Sequence, residues 1–468
     1  MSSPVVVQGT AVAPPTQQQQ QPHTGATETE HQPAKTGCND PIFALLFYCN
    51  LGAIVAVAIL YGPGTFDTAT NNSGTDYTGL IYAVLVTGVI SFIFSGLGLA
   101  FLMQYPAFMI KVGLIFVVVM SLVWCVFAFL NGSIFAGVIG AVFFLIGVCY
   151  ARAVWSRIPF AAINMVTAGT AIKANLGVTL FAYLFTAFEV GWVLLWSVAF
   201  AGTLDSTYTC ENGVCQNPSY GFLFLLLLSF YFTQQVLQSC VHVTVAGTVG
   251  TWWVAPEESG FCSKGVCNSF IRTITTSFGS ICFGSLLVAI VQALRALANE
   301  ARSNGDAAIF ACIAECILAC LASILEYFNK WAYIYVGVYG YSYLQAGRSV
   351  FQLFADRGWD AVIADDLVGN ALLLTSIIVG GLVGVLGIVL SASTAFFEEA
   401  GEAATGVAFF LGFIVGLSIC SILLSTIASG VNTVIVMFAD APREFESNHP
   451  ELSAMMRETW RQFYPGSV

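Results

Sequence analysis

Long apolar stretches, separated by short polar segments, run along the chain from Ile42 to Phe438. Each is about 20 residues or longer, the length of a helix that crosses about 30 Å of hydrocarbon, whereas a barrel would show alternating strands of about 10 residues. The pattern predicts an all-α, polytopic integral membrane helical bundle. The ten predicted spans are Ile42–Tyr61, Gly79–Met103, Met109–Leu130, Ile134–Trp155, Leu176–Gly202, Tyr220–Val245, Ile274–Leu297, Ala307–Phe328, Leu367–Ser393 and Val407–Phe438.

Two further segments are helical in character without being simple spans. Arg157–Asn175 is too polar to cross a bilayer, and Trp331–Phe354 begins with a cluster of tyrosines and tryptophans. Tyr and Trp side chains favour the headgroup region, where a polar tip and an apolar ring are both accommodated. We therefore predict amphipathic helices at the membrane interface for both segments.

The composition is that of a membrane protein, and it also distinguishes the two ends of the chain from the membrane domain. Hydrophobic residues make up 57% of the 468 residues and charged residues 9%, against about a quarter charged in soluble domains. Residues 1–37 are rich in Pro, Gln and Thr and lack a signal-peptide pattern, which predicts a disordered cytoplasmic tail. Residues 38–438 then form the ten-span domain, and residues 439–468 a cytoplasmic C-terminal tail.

Charge gives the orientation. With both termini cytoplasmic, all of the 15 basic residues except Arg295 and Arg302 fall on the cytoplasmic side, as the positive-inside rule requires. The outer loops are acidic, which favours a cationic over an anionic substrate. Solvated loop tips explain the same acids equally simply.

One predicted outer loop carries a cysteine pair, and another carries a glycosylation motif. Cys210 and Cys215 lie on the outer side, where a disulfide is stable, so we predict a short disulfide between them. Asn71 begins an N-x-Ser motif in the loop after the first span and is a glycosylation candidate.

The fifth predicted span carries an acid among aromatic residues. Phe185, Glu189, Trp192 and Trp196 are spaced at i, i+4, i+7 and i+11, so they share one helical face. Ring faces and one carboxylate are what a desolvated quaternary ammonium needs. The alternative is an aromatic stripe that packs against other helices, with the Glu189 carboxyl protonated or hydrogen-bonded.

The sixth predicted span carries a polar stripe of Tyr231, Gln234, Gln238 and His242, again on one face. Amides and an imidazole do not face lipid, so they either bond neighbouring helices or line a wet path. His242 is a proton-coupling candidate because its pKa is ordinarily near neutral. A hydrogen-bonded core histidine is the alternative.

The end of this span, VHVTVAGTVGTWWVAP, combines small residues with a tryptophan pair. The small residues predict close helix contact, and Trp252 and Trp253 an anchor at the headgroups. No histidine and cysteine cluster with metal-ligand spacing, nucleophile–base pair or phosphate loop is visible, so we expect no metal, no cofactor and no enzyme activity.

The same stretch, followed by FIRTITTSFGSICFGSLLVAIVQALRAL, FNKWAYIYVGVYG and VNTVIVMFADAPREFESNHPEL, resembles the choline transporter-like family, which includes the fungal pH-nine-sensitive proteins. The resemblance implies ten spans, cytoplasmic termini and sodium-independent movement of choline-like cations across plasma or organelle membranes. The family's FAEDP motif is Phe438-Ala439-Asp440-Ala441-Pro442 here, with one acid instead of two.

We therefore expect a plasma-membrane carrier of a small organic cation such as choline, working by alternating access. Glu189 supplies the countercharge in this hypothesis, Phe185, Trp192, Trp196 and Tyr231 the rings, and Gln234 and Gln238 a hydrogen bond to the substrate hydroxyl. The alternatives are an ion channel and a non-transporting membrane organiser. No nucleic-acid partner is expected, and the sequence chooses neither a driving force nor an oligomeric state.

Overall fold

The computed structural model describes residues 37–463 except 73–77, 208–209, 212–213, 216–219, 304–307, 358–366 and 392–403. Of the predicted N-terminal tail, only residue 37 falls within this range. Regular structure in the described part is helical, apart from one antiparallel hairpin of two-residue strands, β1 (Cys210–Glu211) and β2 (Val214–Cys215).

The described α-helices are numbered here in chain order, and two short 3₁₀ turns accompany them. They are α1 (Pro41–Asn72), α2 (Thr78–Gln104), α3 (Pro106–Leu130), α4 (Ile134–Val154), α5 (Ile158–Ala174), α6 (Gly177–Thr207), α7 (Tyr220–Val254), α8 (Lys264–Ile274), α9 (Phe278–Ser303), α10 (Ala308–Tyr339), α11 (Tyr343–Arg357), α12 (Val368–Ser391), α13 (Ala404–Asp440), α14 (Pro442–Asn448) and α15 (Pro450–Phe463).

Ten stretches of the described helices are long and apolar enough to cross a membrane. They lie in α1, α2, α3, α4 with α5, α6, α7, α9, α10, α12 and α13, in the order of the predicted spans. Helices satisfy all of their internal backbone hydrogen bonds, which is why a bilayer favours them. The predicted polytopic helical bundle is confirmed.

The two segments predicted as amphipathic helices take different places. Ile158–Ala174 is a helix, α5, but it packs into the core against α3, α13 and α15, and most of its side chains are buried. The prediction of a single helix over Trp331–Phe354 is wrong. Residues 331–339 continue α10, and α11 starts separately at Tyr343. Gly340 separates the two with a φ of +68°, a conformation in which glycine carries no steric cost.

The backbones of α7 and α10 come into direct contact where the two helices cross. A Cβ atom added to Gly247 would lie 2.9 Å from the Gly337 carbonyl oxygen, and one added to Gly337 would lie 2.7 Å from the Val243 carbonyl oxygen. All residues of α7 from Val243 to Gly250 are buried. Glycine lets the two backbones touch here, as the small residues of the sequence predict.

The C-terminal helices cover the end of α7. Trp253 stacks on Phe445 at 3.8 Å between ring centroids, and its Nε1–H donates to the Ala441 carbonyl at 2.8 Å. Trp252 stacks on His449 at 4.0 Å. Both tryptophans are buried, so their prediction as headgroup anchors is wrong. They hold α14 against α7 instead.

Two residues before α1 tie the start of the chain to the same end of the bundle. The Asn39 side-chain amide donates to the Gly340 carbonyl at 2.7 Å. The Asp40 carboxylate accepts from the Ser280 hydroxyl at 2.7 Å and from the Tyr343 backbone N–H at 3.1 Å. This N-terminal clamp therefore joins the starts of α1, α9 and α11.

The residues predicted to be modified lie at the edge of the described part of the chain. Asn71 lies in the last turn of α1, not in a loop. The hairpin register pairs Cys210 with Cys215. Glycosylation and the disulfide both stay predictions.

Candidate functional site

A polar cleft of about 340 Å³ opens between α7, α10 and α13. Its volume is within the range of small-molecule sites, about 300–1,000 Å³. The side chains that line it are polar or aromatic, although the helices that carry them are apolar enough to span a membrane. They are Gln235, Gln238, Ser239, His242, Glu326, Asn329, Lys330, Tyr333 and Asn432.

The α7 wall of the cleft consists of Gln235, Gln238, Ser239 and His242. Their spacing of i, i+3, i+4 and i+7 is one helical face. Two members of the predicted stripe, Gln238 and His242, are on this wall. The other two, Tyr231 and Gln234, are not among the lining residues, and Gln235 takes the place assigned to its neighbour.

The α10 wall has the same spacing, with Glu326, Asn329, Lys330 and Tyr333 at i, i+3, i+4 and i+7. The sequence pattern does not predict this wall, because its residues fall on both sides of Phe328, where the predicted eighth span ends. Glu326 is exposed near the middle of the span Phe310–Tyr339. A carboxylate at that depth is expensive unless it faces water or a partner, and here it faces the cleft.

Glu189 approaches the cleft from α6. The Gln238 side-chain amide donates to its carboxylate at 3.2 Å, which links α6 to α7 at this pair. The formal charges are then two carboxylates, Glu189 and Glu326, and one ammonium, Lys330. With a neutral His242 they sum to one negative charge.

A second chain of amides links the two walls through α9. Gln235 donates to the Gln292 amide oxygen at 3.4 Å, and Gln292 donates to the Glu326 carboxylate at 3.1 Å. Each acid therefore accepts a hydrogen bond from a glutamine of a neighbouring helix. Such bonds fix the orientation of the two carboxylates.

His242 joins three helices at the closed side of the cleft. Its Nε2 lies 2.9 Å from the Lys330 carbonyl oxygen and its Nδ1 2.8 Å from the Ser429 hydroxyl. A carbonyl only accepts, so Nε2 carries the proton and the Ser429 hydroxyl donates to Nδ1. This neutral tautomer satisfies both ring nitrogens, which favours the hydrogen-bonded core histidine.

The floor of the cleft is a buried hydrogen-bond network. The Asn329 amide donates to the Gly284 carbonyl at 3.1 Å and accepts from the Tyr343 hydroxyl at 2.6 Å. The Tyr333 hydroxyl donates to the Ile281 carbonyl at 3.0 Å. These bonds fix the α10 wall against α9.

The predicted aromatic residues lie away from the cleft in this structure. Trp192 is buried in an apolar cluster with residues of α1 and α7. Trp196 donates from Nε1 to the Leu226 carbonyl at 3.0 Å and stacks on Phe200. Phe185 is buried beside Phe270 of α8, with ring centroids 5.8 Å apart. The structure thus brings Glu189 and Gln238 together without the tryptophans.

Toward the chain termini the cleft is closed by the Gly247–Gly337 crossing. Arg272 of α8 covers this crossing by donating to the Gly337 carbonyl and, at 3.3 Å, to the Val338 carbonyl. Burial lowers the pKa of the Arg272 guanidinium. Two residues after Gly337, the Tyr339 hydroxyl donates to the Asp440 carboxylate, so the one acid left in the FAEDP-like motif ties α10 to the end of α13.

Comparisons with known proteins cover these helices. A family profile described as plasma-membrane choline transporter matches residues 138–443. Protein PNS1 of Mycosarcoma maydis is 29% identical, with 94% of this chain and 86% of its own length aligned. A CTL-like protein of Dictyostelium discoideum is 28% identical over 92% of this chain and 77% of its own. Protein PNS1 of Saccharomyces cerevisiae is 26% identical over 91% and 83%.

Proposed function

Because the chain belongs to the choline transporter-like family, we propose that it is a carrier that moves choline or a related organic cation across the plasma membrane. The family supports a membrane transporter and a non-enzymatic role. The choice of an organic cation rests on the cleft between α7, α10 and α13.

The observation that carries this proposal is a pair of carboxylates, Glu326 in the lining of the cleft and Glu189 one hydrogen bond away through Gln238. Glu189 and Glu326 exceed Lys330 by one charge. A monovalent cation balances that charge, whereas an anion would bring the total to two negative charges. The Lys330 ammonium also lies 5.2 Å from the Trp331 ring centroid, which gives its own charge a favourable contact.

Choline has two chemically different ends, and the cleft offers groups for both. A trimethylammonium group makes no conventional hydrogen bond, so it binds ring faces and carboxylates. Tyr333 and Glu326 supply these on α10, and Glu189 is linked to the cleft by its hydrogen bond with Gln238. The substrate hydroxyl has hydrogen-bond partners in Gln238 and Asn432 across the cleft. The tryptophans of α6, Trp192 and Trp196, would contact the substrate only if α6 shifts toward the cleft during transport.

Alternating access is the proposed mechanism. The cleft is closed at the Gly247–Gly337 crossing, on the side where the N-terminal clamp and α15 lie. If both termini are cytoplasmic, as the basic residues predict, this closed side is the inner one. Release of substrate to the cytoplasm then requires α7 and α10 to separate at the glycines while a second closure forms on the outer side.

The test is uptake of labelled choline into proteoliposomes that contain the purified full chain, with an inside-negative potential. We expect saturable uptake that is unchanged when external sodium is replaced by lithium. Glu326→Gln removes the countercharge with little change of shape and should reduce uptake about tenfold, which corresponds to about 1.4 kcal/mol of lost substrate binding. Glu189→Gln should have a smaller effect because Glu189 does not itself line the cleft.

The matched control is Glu458→Gln, which makes the same change at an exposed position on α15. Equal uptake by Glu326→Gln and Glu458→Gln would remove the cleft from the proposal. Flux that does not saturate would favour a channel, and choline binding without flux a membrane organiser. Recovery of the label as unmodified choline separates transport from chemistry.

A further inference from the structure

A second cavity lies outside the transport helices, in the hairpin of α3 and α4. This hairpin is peripheral, since α4 packs mainly on α3. A groove of about 450 Å³ runs between the two helices. Its lining is apolar except at one end. The lining residues are Ile115, Val118, Val119, Val148, Ala151, Arg152 and Trp155.

The charged end of the groove carries two basic residues. Arg152 is in the last turn of α4, and Lys111 is one turn before Ile115 on the same face of α3. A Cβ atom added to Gly147 would lie 3.7 Å from a methyl group of Val118. This antiparallel register places Arg152 at the level of the Lys111 turn.

Neither basic side chain makes a hydrogen bond or an ion pair within the described part of the chain, and both are exposed. An unpaired guanidinium at the end of an apolar groove is complementary to a ligand that has an anionic group attached to an apolar chain. Trp155, beside Arg152, is half exposed, and a tryptophan at that position suits the boundary between headgroups and hydrocarbon.

We propose that this groove binds one anionic phospholipid. An acyl chain lies along Ile115, Val118 and Val119, and the net negative headgroup lies against Arg152 and Lys111. The basic end of the groove lies on the same side of the bundle as the C-terminal helix. This follows because α5 begins directly after the groove and its Phe160 packs on Trp460 of the C-terminal helix, with 4.8 Å between ring centroids. If the termini are cytoplasmic, the basic end lies in the leaflet that is rich in anionic lipid.

The charge of the site distinguishes this ligand from its competitors. A zwitterionic lipid fills the apolar part equally well, but it brings a cation to Arg152 and Lys111. A second copy of this chain would have to present an acidic side chain inside the membrane, which is expensive. The unpaired basic end therefore favours an anionic headgroup over both.

The experiment is a lipid titration of the detergent-purified full chain, followed by native mass spectrometry, with phosphatidylserine and phosphatidylcholine as probes. Wild type should bind one phosphatidylserine more tightly than phosphatidylcholine. Arg152→Gln should weaken phosphatidylserine binding about fivefold, the effect of one basic residue near an anionic lipid surface, and leave phosphatidylcholine unchanged. The charge-matched control, Arg348→Gln on α11, should have no effect.

A second pair of variants tests the apolar part. Val119→Trp fills the groove and should abolish the bound lipid, whereas Met120→Trp, at an exposed neighbouring position outside it, should not. Equal effects of Arg152→Gln and Arg348→Gln, or equal binding of the two lipids by wild type, would overturn the proposal. Loss of a dimer in Val119→Trp would assign the groove to a second copy. If Arg152→Gln does not fold, Lys111→Gln removes the other positive charge at the basic end of the groove and tests the same proposal.

Discussion

The helices α7 and α10 contact each other in two opposite ways along their length. Near the termini, Gly247 and Gly337 bring the backbones together and leave no room for a side chain. A few turns away, Gln238 and Glu326 face each other across a cleft of about 340 Å³. Within a bilayer, lipid is as apolar as leucine, so the size and polarity of the side chains decide which contact forms.

The largest expected effect comes from forcing the closed half apart. Gly337→Val places a branched side chain where an added Cβ would already lie 2.7 Å from the Val243 carbonyl oxygen. Overpacking of this kind costs about 1–3 kcal/mol or more, so we expect a large fall in thermal stability and in the yield of monodisperse protein. Gly191→Val on α6 is the control, because an added Cβ there meets nothing within 4 Å. Similar melting temperatures of both variants would contradict the tight crossing.

A smaller effect is expected from uncovering the closed half without inserting atoms. Arg272→Met keeps much of the side-chain length but leaves the Gly337 and Val338 carbonyls without their guanidinium donor. Unsatisfied buried groups cost about 1–3 kcal/mol, and thermal unfolding in detergent measures the loss. Arg348→Met is the matched control at an exposed site. An unchanged melting temperature for Arg272→Met would mean that water replaces the guanidinium at no cost.

The smallest expected effect distinguishes the two roles of His242. His242→Gln retains a donor for the Lys330 carbonyl but does not titrate between about pH 5 and 8. If the histidine is structural, choline uptake by the variant should keep the wild-type pH profile. A profile that becomes flat in His242→Gln would assign proton coupling to this residue, despite its two hydrogen bonds.

The spans follow from the sequence because hydropathy and helix length are properties of each segment alone. The residues that face the cleft do not follow from the sequence in the same way, because they depend on where the neighbouring helices lie. Gln234 and Gln235 are adjacent amides, and only the position of α10 decides that Gln235 lines the site. In the same way Phe185 and Trp192 share a helical face with Glu189, yet their rings pack against α8 and α1 while the carboxylate meets Gln238.

Glu326 shows a different limit. Its face on α10 is readable as Glu326, Asn329, Lys330 and Tyr333, but only if the helix is continued beyond Phe328. The tyrosines and tryptophans that follow are typical of an interface. In the structure Trp331, Tyr333 and Tyr335 are buried among other helices instead. A local preference was thus overridden by tertiary packing.

The N-terminal clamp has a practical consequence for anyone who engineers this chain. Asn39 and Asp40 bond the Gly340 carbonyl, the Ser280 hydroxyl and the Tyr343 backbone N–H. Cys38 is exposed and takes no part in these bonds. A tag, reporter domain or truncation that ends at residue 38 therefore leaves the three-helix junction intact, whereas one that removes the next two residues cuts the tether between the first helix and the turn that ends α10.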